Sequence, residues 1–485
     1  MRICLVTPPS SFLLDDRVFM SLGILKIGAV LEQAGWDVEH LDLTGVRNYV
    51  DVAREYAGAD LFAITATTPQ IPAAIEIRHA LRGKAILGGP HATLVNAAAR
   101  QGNARAVEAI THLLREFDCV VAGDGERAIF RAVAEYGLID ADDPKGALWQ
   151  TSQDFTDSPW PARHLVDVDS YHYTIDGERA LSLVSQLGCP FECGFCGGRL
   201  SPMLRRIRTR PAANVIAELL HVYERYGVRG MMFLDDELNV NKGLVPLMQD
   251  IRRTGIDWRF RGFVKAELFT AEQAEAMYAA GFRWLLCGFE SAHPRILKNI
   301  NKKATLDDNT KMLRTAHAAG LKVKALMSFG HPGESEETIL ATRDWLLAEK
   351  PDDFDCTVIT LYPGTPYWDR SVCVDEPVYR YEFNGDVLYS ENIDFTHEVA
   401  FYKGMKGAYR AFVWTDALSR ERLAELRDAV EDEVRTKLGI PYPNAAPAIN
   451  FEHSMGQMIP SHILRKHDEL DHAGAQPAKT YEAGA

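Results

Sequence analysis

Short apolar runs rich in Val, Ile and Leu alternate along this chain with longer segments whose apolar residues recur every three to four positions. The runs read as buried strands and the longer segments as amphipathic helices. Arg2 to Thr7 is the first strand, and Leu22 to Ala34 is a helix ended by Gly35. Strands follow at Asp37 to Leu43, Leu61 to Thr67, Lys84 to Leu87 and Cys119 to Ala122, with helices at Ile71 to Leu81 and Ala104 to Phe117. This alternation predicts an α/β, Rossmann-like, doubly wound sheet over residues 1–145. The turns Gly88-Gly89-Pro90-His91 and Gly123-Asp124-Gly125-Glu126 follow two of its strands, at the edge where open α/β sheets bind ligands.

A proline-rich, polar connector over 146–180 separates this block from a second alternation over 181–370. Its strands are Leu181 to Gln186, Gly230 to Leu234, Arg259 to Val264, Trp284 to Phe289, Val323 to Phe329 and Thr357 to Leu361. Six such units predict a partial (β/α)6 TIM barrel. Polar residues stand at the strand C-termini, where barrels place their working groups: Asp235 and Asp236, Lys265, Glu290 and Ser291. Beyond 370 the run SVCVDEPVYRYEFNGDVLYSEN reads as irregular, while His397 to Phe412 and Ser419 to Leu438 have helical spacing. Residues 371–465 are therefore expected to form a small, mainly helical region capping the barrel. The small polar stretch 466–485 is expected to be disordered.

Composition narrows the functional classes. A chain of 485 residues exceeds one ordinary core, and 47% hydrophobic with 25% charged residues describes a globular protein. A formal net charge of −14 with no basic block argues against nucleic acid as the main partner. No apolar stretch of about 18 residues predicts a membrane span. Eight cysteines are too sparse for a disulfide framework, so reduced thiols and a cytoplasmic location are expected.

Three of those cysteines, Cys189, Cys193 and Cys196, sit together in LGCPFECGFCGG. Three thiolates from one loop suit an iron–sulfur cluster or zinc. Zinc would need a fourth ligand from a distant His or from Cys287. Three ligands alone leave one metal position open to a substrate.

The CxxxCxxC triplet with Phe195 before its last cysteine resembles the signature of the radical S-adenosylmethionine (SAM) enzymes. The resemblance implies that Cys189, Cys193 and Cys196 hold a 4Fe–4S cluster whose fourth iron binds SAM. Cleavage of SAM then gives a 5′-deoxyadenosyl radical. By the same resemblance, Phe195 packs beside the cluster, and Asp235 and Asp236 of FLDDE meet the SAM amino group. Lys265 stands where relatives often carry Arg against the SAM carboxylate. Glu290 and Ser291 match the ribose-contacting strand end. Gly330, Leu361 and Tyr362, in the matching GHPGES and LYPGTP turns, are further SAM contacts. Residues 1–145 resemble the cobalamin-binding domain that precedes many radical SAM domains, through SLGILKIGAVLEQAGWDVEHLDL, ILGGPH and AGDGE. Asp124 stands where the family usually has Glu. The DxHxxG loop that supplies a cobalt ligand in other cobalamin proteins is absent, since no His precedes His40. Thr65, Thr67, Gly88, Gly89, Gly123 and Gly125 are the expected cobalamin neighbours. Tyr362 and Cys373 are candidates for catalysis.

The resemblance implies methylation of an unactivated carbon in a small biosynthetic precursor. The expected partners are a small-molecule substrate and an electron donor such as flavodoxin or ferredoxin. Cyclisation, rearrangement or oxidation on the same architecture is the alternative, followed by a cobalamin and iron–sulfur binding module without catalysis. A methylthiotransferase would need a second cysteine set, and the N-terminal block has only Cys4 and Cys119.

Overall fold

The computed structural model describes residues 2–10, 17–398, 410–441, 449–451 and 457–459. Its first sheet comprises β1 (Arg2–Thr7), β2 (Asp37–Asp42), β3 (Leu61–Thr65), β4 (Lys84–Gly88), β5 (Cys119–Gly123) and β6 (Gly137–Ala141). All pairs are parallel, in the order β2-β1-β3-β4-β5-β6. The central strands are buried along most of their length because crossover helices such as Leu22–Gln33 and Pro90–Ala99 accompany them. The strand order reverses between β1 and β3, which opens a crevice at the C-terminal edge. Strand β6 has no counterpart in the sequence reading. It is a short edge strand with Leu138 exposed, so it lacks the apolar run that marks the inner strands.

The second sheet begins with β7 (Thr174–Ile175), antiparallel to β8 (Glu178–Leu183). A short ladder of β9 (Gln186–Leu187) with β10 (Arg208–Thr209) brackets the cysteine loop. Then come β11 (Gly230–Phe233), β12 (Arg259–Phe263), β13 (Phe282–Glu290), β14 (Lys322–Phe329) and β15 (Asp353–Val358). The order is β15-β14-β13-β12-β11-β8-β7, with the six strands from β8 to β15 parallel. This is the expected six-unit partial barrel. Its crossover helices start at capping boxes, Thr270 with Gln273 and Ser335 with Thr338, and two end at left-handed Gly227 and Gly281.

The last barrel strand lies four residues earlier than its apolar signal, at Asp353 rather than Thr357. Two aspartates hide it, and both are neutralised at long range. Lys324 pairs with Asp353 at 2.9 Å and with Asp355 at 2.8 Å, and Arg435 reaches the same two carboxylates. Arg435 lies on the helix Arg420–Leu438, which runs along this edge strand. There Glu431 accepts from the Cys356 amide at 2.7 Å and Arg435 donates to the Phe354 carbonyl. The helix thus covers an edge that an open barrel would leave exposed.

Among its described residues the C-terminal region holds strands beside the helix Arg420–Leu438. Residues read as irregular form an antiparallel sheet of β16 (Val372–Asp375), β17 (Val378–Phe383), β18 (Asp386–Glu391) and β19 (Val413–Trp414). Asn384 and Gly385, both at positive φ, make the β17–β18 turn. Most of the helix expected over His397 to Phe412, and the tail 466–485, lie outside the described residues.

Candidate functional site

The cysteine loop is held by backbone contacts to the rest of the barrel. Gly194 donates to Ile300 O at 2.7 Å and accepts from Tyr367 N at 2.9 Å. A Cβ at Gly194 would sit 2.0 Å from the Tyr367 ring, so only glycine lets the loop dock this closely. Cys189 and Cys193 are buried, Cys196 is half-buried, and all three are free thiols. Burial pushes the Cys189 thiol up to about 11 and Cys196 up to about 12, and the other two cysteines of the loop add to the rise at Cys196. Among the described residues no three His, Cys, Asp or Glu side chains converge on a single-ion site.

Arg199, which carried no sequence signal, ties the loop together. It is 6% exposed and donates from Nε to Gly197 O at 3.0 Å, and from Nη1 to Cys189 O at 2.8 Å and Phe191 O at 2.7 Å. Burial opposes its charge, but Cys196, Cys189 and Asp236 outweigh it and hold the guanidinium firmly protonated.

The other strand-end residues gather in the barrel interior. Asp235 accepts from the Ser185 amide at 3.1 Å, from Ser185 Oγ at 2.7 Å and from the Gln186 amide. Its carboxylate shapes the entry to the cysteine loop. Asp236 is burial-shifted up to about 6, with Arg199 and a hydrogen bond from Gly188 working the other way. Lys265, 2% exposed, bonds Lys302 O at 2.8 Å, pairs with Glu267 at 2.8 Å and sits 4.1 Å from the Phe191 ring centre. Glu290, at φ +64°, is bound by Lys302 at 3.1 Å and by Ser328 Oγ at 2.7 Å. Lys302 is a second residue that sequence reasoning missed, because NKKA reads as surface. Ser291 Oγ accepts from the His293 amide at 3.1 Å, and His293 in turn caps the next helix. Phe195 packs edge-on against His331, with centroids 5.3 Å apart. Gly330 has φ +88°, and a Cβ there would meet Val413 at 2.8 Å. Leu361 and Tyr362 are buried, the latter 5.8 Å from Phe395. Cys373 stands apart, exposed on β16 and lining neither cavity described below.

A cavity of about 380 Å³ separates the two sheets. Thr7, Thr65, Gly88 and Gly123 bring the ends of β1, β3, β4 and β5 to it. From the barrel, Val184 and Leu234 follow β8 and β11 into the same space. Both parallel sheets thus aim their C-terminal edges at one cavity. All six residues expected near cobalamin line it. Gly89 and Gly123 have φ +103° and +99°, and a Cβ at either would strike backbone at 2.9 Å and 2.5 Å. Gly88 faces open space. Thr67 is partly engaged, since its hydroxyl bonds Gln70 at 2.8 Å. The walls are mostly apolar (Val18, Ile24, Ile86, Ile129, Phe155), but Lys26, Asp124, Glu126 and the buried Arg210–Glu218 pair, at 2.6 Å, also line it, and Arg163 pairs with Glu218 at 2.8 Å. Asp124, in the turn of β5, pairs with Arg208 of the barrel and so joins the two halves beside the cavity.

The barrel half of this arrangement, with the three-cysteine loop after its first strand, is the part of the chain that matches a known family. Residues 183–346 match the Radical SAM superfamily. An uncharacterized methyltransferase of Pyrococcus horikoshii is 26% identical over 401 residues, covering 77% of this chain and 83% of that protein. The bacteriochlorophyllide d C-12(1)-methyltransferase of Chlorobaculum tepidum is 26% identical over 451 residues, covering 84% and 90%. The radical SAM methyltransferase TsrM from Kitasatospora setae, solved with cobalamin and an iron–sulfur cluster bound, superimposes with a TM-score of 0.58. It is 20% identical, covering 79% of this chain and 81% of that one, and shows the same fold. Among the described residues no helix is long and apolar enough to cross a membrane.

Proposed function

We propose that this protein is a cobalamin-dependent radical SAM enzyme that methylates an unactivated carbon of a small biosynthetic precursor. The observation that carries this reading is the cavity onto which both sheet edges converge, floored by glycines and walled mostly by apolar side chains. A Cβ at Gly88 would project into the space a flat macrocycle needs. The hydroxyls of Thr7, Thr65 and Thr67 suit amide and phosphate groups at the rim. Among the described residues no His or Cys lines the cavity, so the residues present fit a corrinoid held without a side chain on its metal.

When bound, a 4Fe–4S cluster supplies the electron that cleaves SAM, and cobalamin supplies the methyl group. The chain's own residues bind, orient and exclude water. Cys189, Cys193 and Cys196 hold the cluster, and Arg199 fixes their loop. Asp236 lies next to that loop as an acceptor for a cationic amine. Lys302 and Ser328 fix Glu290, leaving a carboxylate edge suited to a ribose diol. Lys265 is already paired with Glu267, so its part is to brace the strand end and the Phe191 ring. The apolar walls keep water from a reactive carbon radical. The electron comes from a low-potential carrier such as flavodoxin or ferredoxin.

The test is anaerobic reconstitution with iron, sulfide and cobalamin, followed by removal of free cofactor. A corrin spectrum beside iron–sulfur absorption is expected. Turnover should yield S-adenosylhomocysteine as well as 5′-deoxyadenosine. A preparation that retains the cluster but no corrinoid, and releases 5′-deoxyadenosine alone, would replace methyl transfer with cyclisation or rearrangement.

A further inference from the structure

Most buried cations in this protein answer a carboxylate: Lys302 has Glu290, Lys265 has Glu267, Arg208 has Asp124, and Arg163 and Arg210 share Glu218. Arg199 differs. Its hydrogen bonds all go to carbonyl oxygens, of Cys189, Phe191 and Gly197, and the sulfurs of the cysteine loop are among the charges nearest to it. The three carbonyls span the motif from its first cysteine to just past its last. Its own amide bonds Gly364 O at 3.3 Å, in the LYPGTP turn.

We propose that Arg199 is a positioning residue that also sets the reduction potential of the cluster on Cys189, Cys193 and Cys196. This inference rests on the cluster reading above. A cluster on three thiolates carries net negative charge, and taking up one electron from an external one-electron donor makes it more negative by one. A fixed, weakly solvated cation beside the sulfurs stabilises the reduced form more than the oxidised form, which raises the potential. Asp236, beside the same loop, acts with the opposite sign. The guanidinium fork is needed for the bracing, because an ammonium cannot bond three carbonyls in one plane. Behind Arg199 lies a cavity of about 350 Å³, lined also by Gly194, Arg205 and Arg370, so a shorter side chain there is replaced by water.

The experiment is an electron-paramagnetic-resonance redox titration of the reconstituted full chain without SAM, with iron and sulfide counted for each variant. R199Q should keep its iron while the equilibrium for reduction falls about tenfold, a shift of about 59 mV to more negative potential. R199K should stay near the wild-type potential but lose iron faster to a chelator. D236N should shift the potential upward. A fully loaded R199Q that titrates with the wild type overturns the proposal. Should R199Q lose its cluster, a D236N variant unchanged in potential overturns it equally. Wild-type protein that takes up no cluster at all would instead sink the functional reading.

Discussion

The cavity between the sheets and the barrel interior around the cysteine loop lie close together and are built on opposite principles. The first is mostly apolar, floored by glycines and open at Gly88, with its charges, Lys26, Asp124, Glu126, Arg210 and Glu218, set among apolar walls. The second is packed with charge, and nearly every buried cation has a named carboxylate. An apolar, roomy cradle suits a large flat body that brings its own polar groups. A tightly paired ionic interior suits small charged groups that must be held at fixed positions, since an unpaired charge there is costly. Two ligand types are thus separated by solvation alone, before any specific contact is considered.

Substitutions can break this contrast one side at a time. The largest effect is expected from Cys196→Ala, which should abolish iron retention while leaving the cavity between the sheets able to hold a corrinoid. Full iron content in that variant would remove the loop from the chemistry. Next is Glu218→Leu on the wall of the cavity. It leaves Arg163 and Arg210 buried without their shared carboxylate, and chemical denaturation should show a loss of about 3–5 kcal/mol. Gly88→Phe sharpens the comparison. A side chain there meets open space, so the fold should persist with its cluster, while corrinoid retention after gel filtration falls about 100-fold. Undiminished retention would move the corrinoid elsewhere.

A smaller effect is expected from Glu334, in the GHPGES turn. Burial pushes this carboxyl up to about 7, against hydrogen bonds from Thr338 and the His331 and Gly330 amides. A folded-state value above the unfolded one means that the native state binds the proton more tightly. The contribution to stability is therefore full at low pH and declines as pH rises from about 4.5 to about 7, by about 3 kcal/mol. Glu334→Gln should flatten that slope in melting curves taken across the range. A slope identical to the wild type would mean that folding does not shift this carboxyl.

Much of the fold was legible because its signals are local. The alternation of apolar runs marks β1 to β5, β8 and β11 to β14, and the CxxxCxxC loop announces itself. What escaped depends on distant partners. Strand β15 was read four residues late because Asp353 and Asp355 look like a loop until Lys324 and Arg435 are placed against them. Arg199 has no signal at all, since its role consists of three carbonyls brought together by the fold. Lys302 reads as surface until Glu290 stands opposite. The hairpin of β17 and β18 is a different case. Asn384-Gly385 between apolar stretches is a strong turn signal for two strands, and the aromatic, charged flanks obscured it.

The pairing of Asp124 with Arg208 bears on how the chain is made. On the ribosome the turn after β5 emerges early, and the arginine that neutralises its buried carboxylate follows 84 residues later. Asp142 has Arg100 beside it from the start, at 2.7 Å, and gains the Ser201 hydroxyl and the Met203 amide later. The nascent first sheet therefore carries one buried carboxylate, Asp124, whose neutralising cation is made only after the cysteine loop. Vectorial synthesis would in this way delay closure of the cradle until the segment that carries the iron–sulfur chemistry is present to complete it.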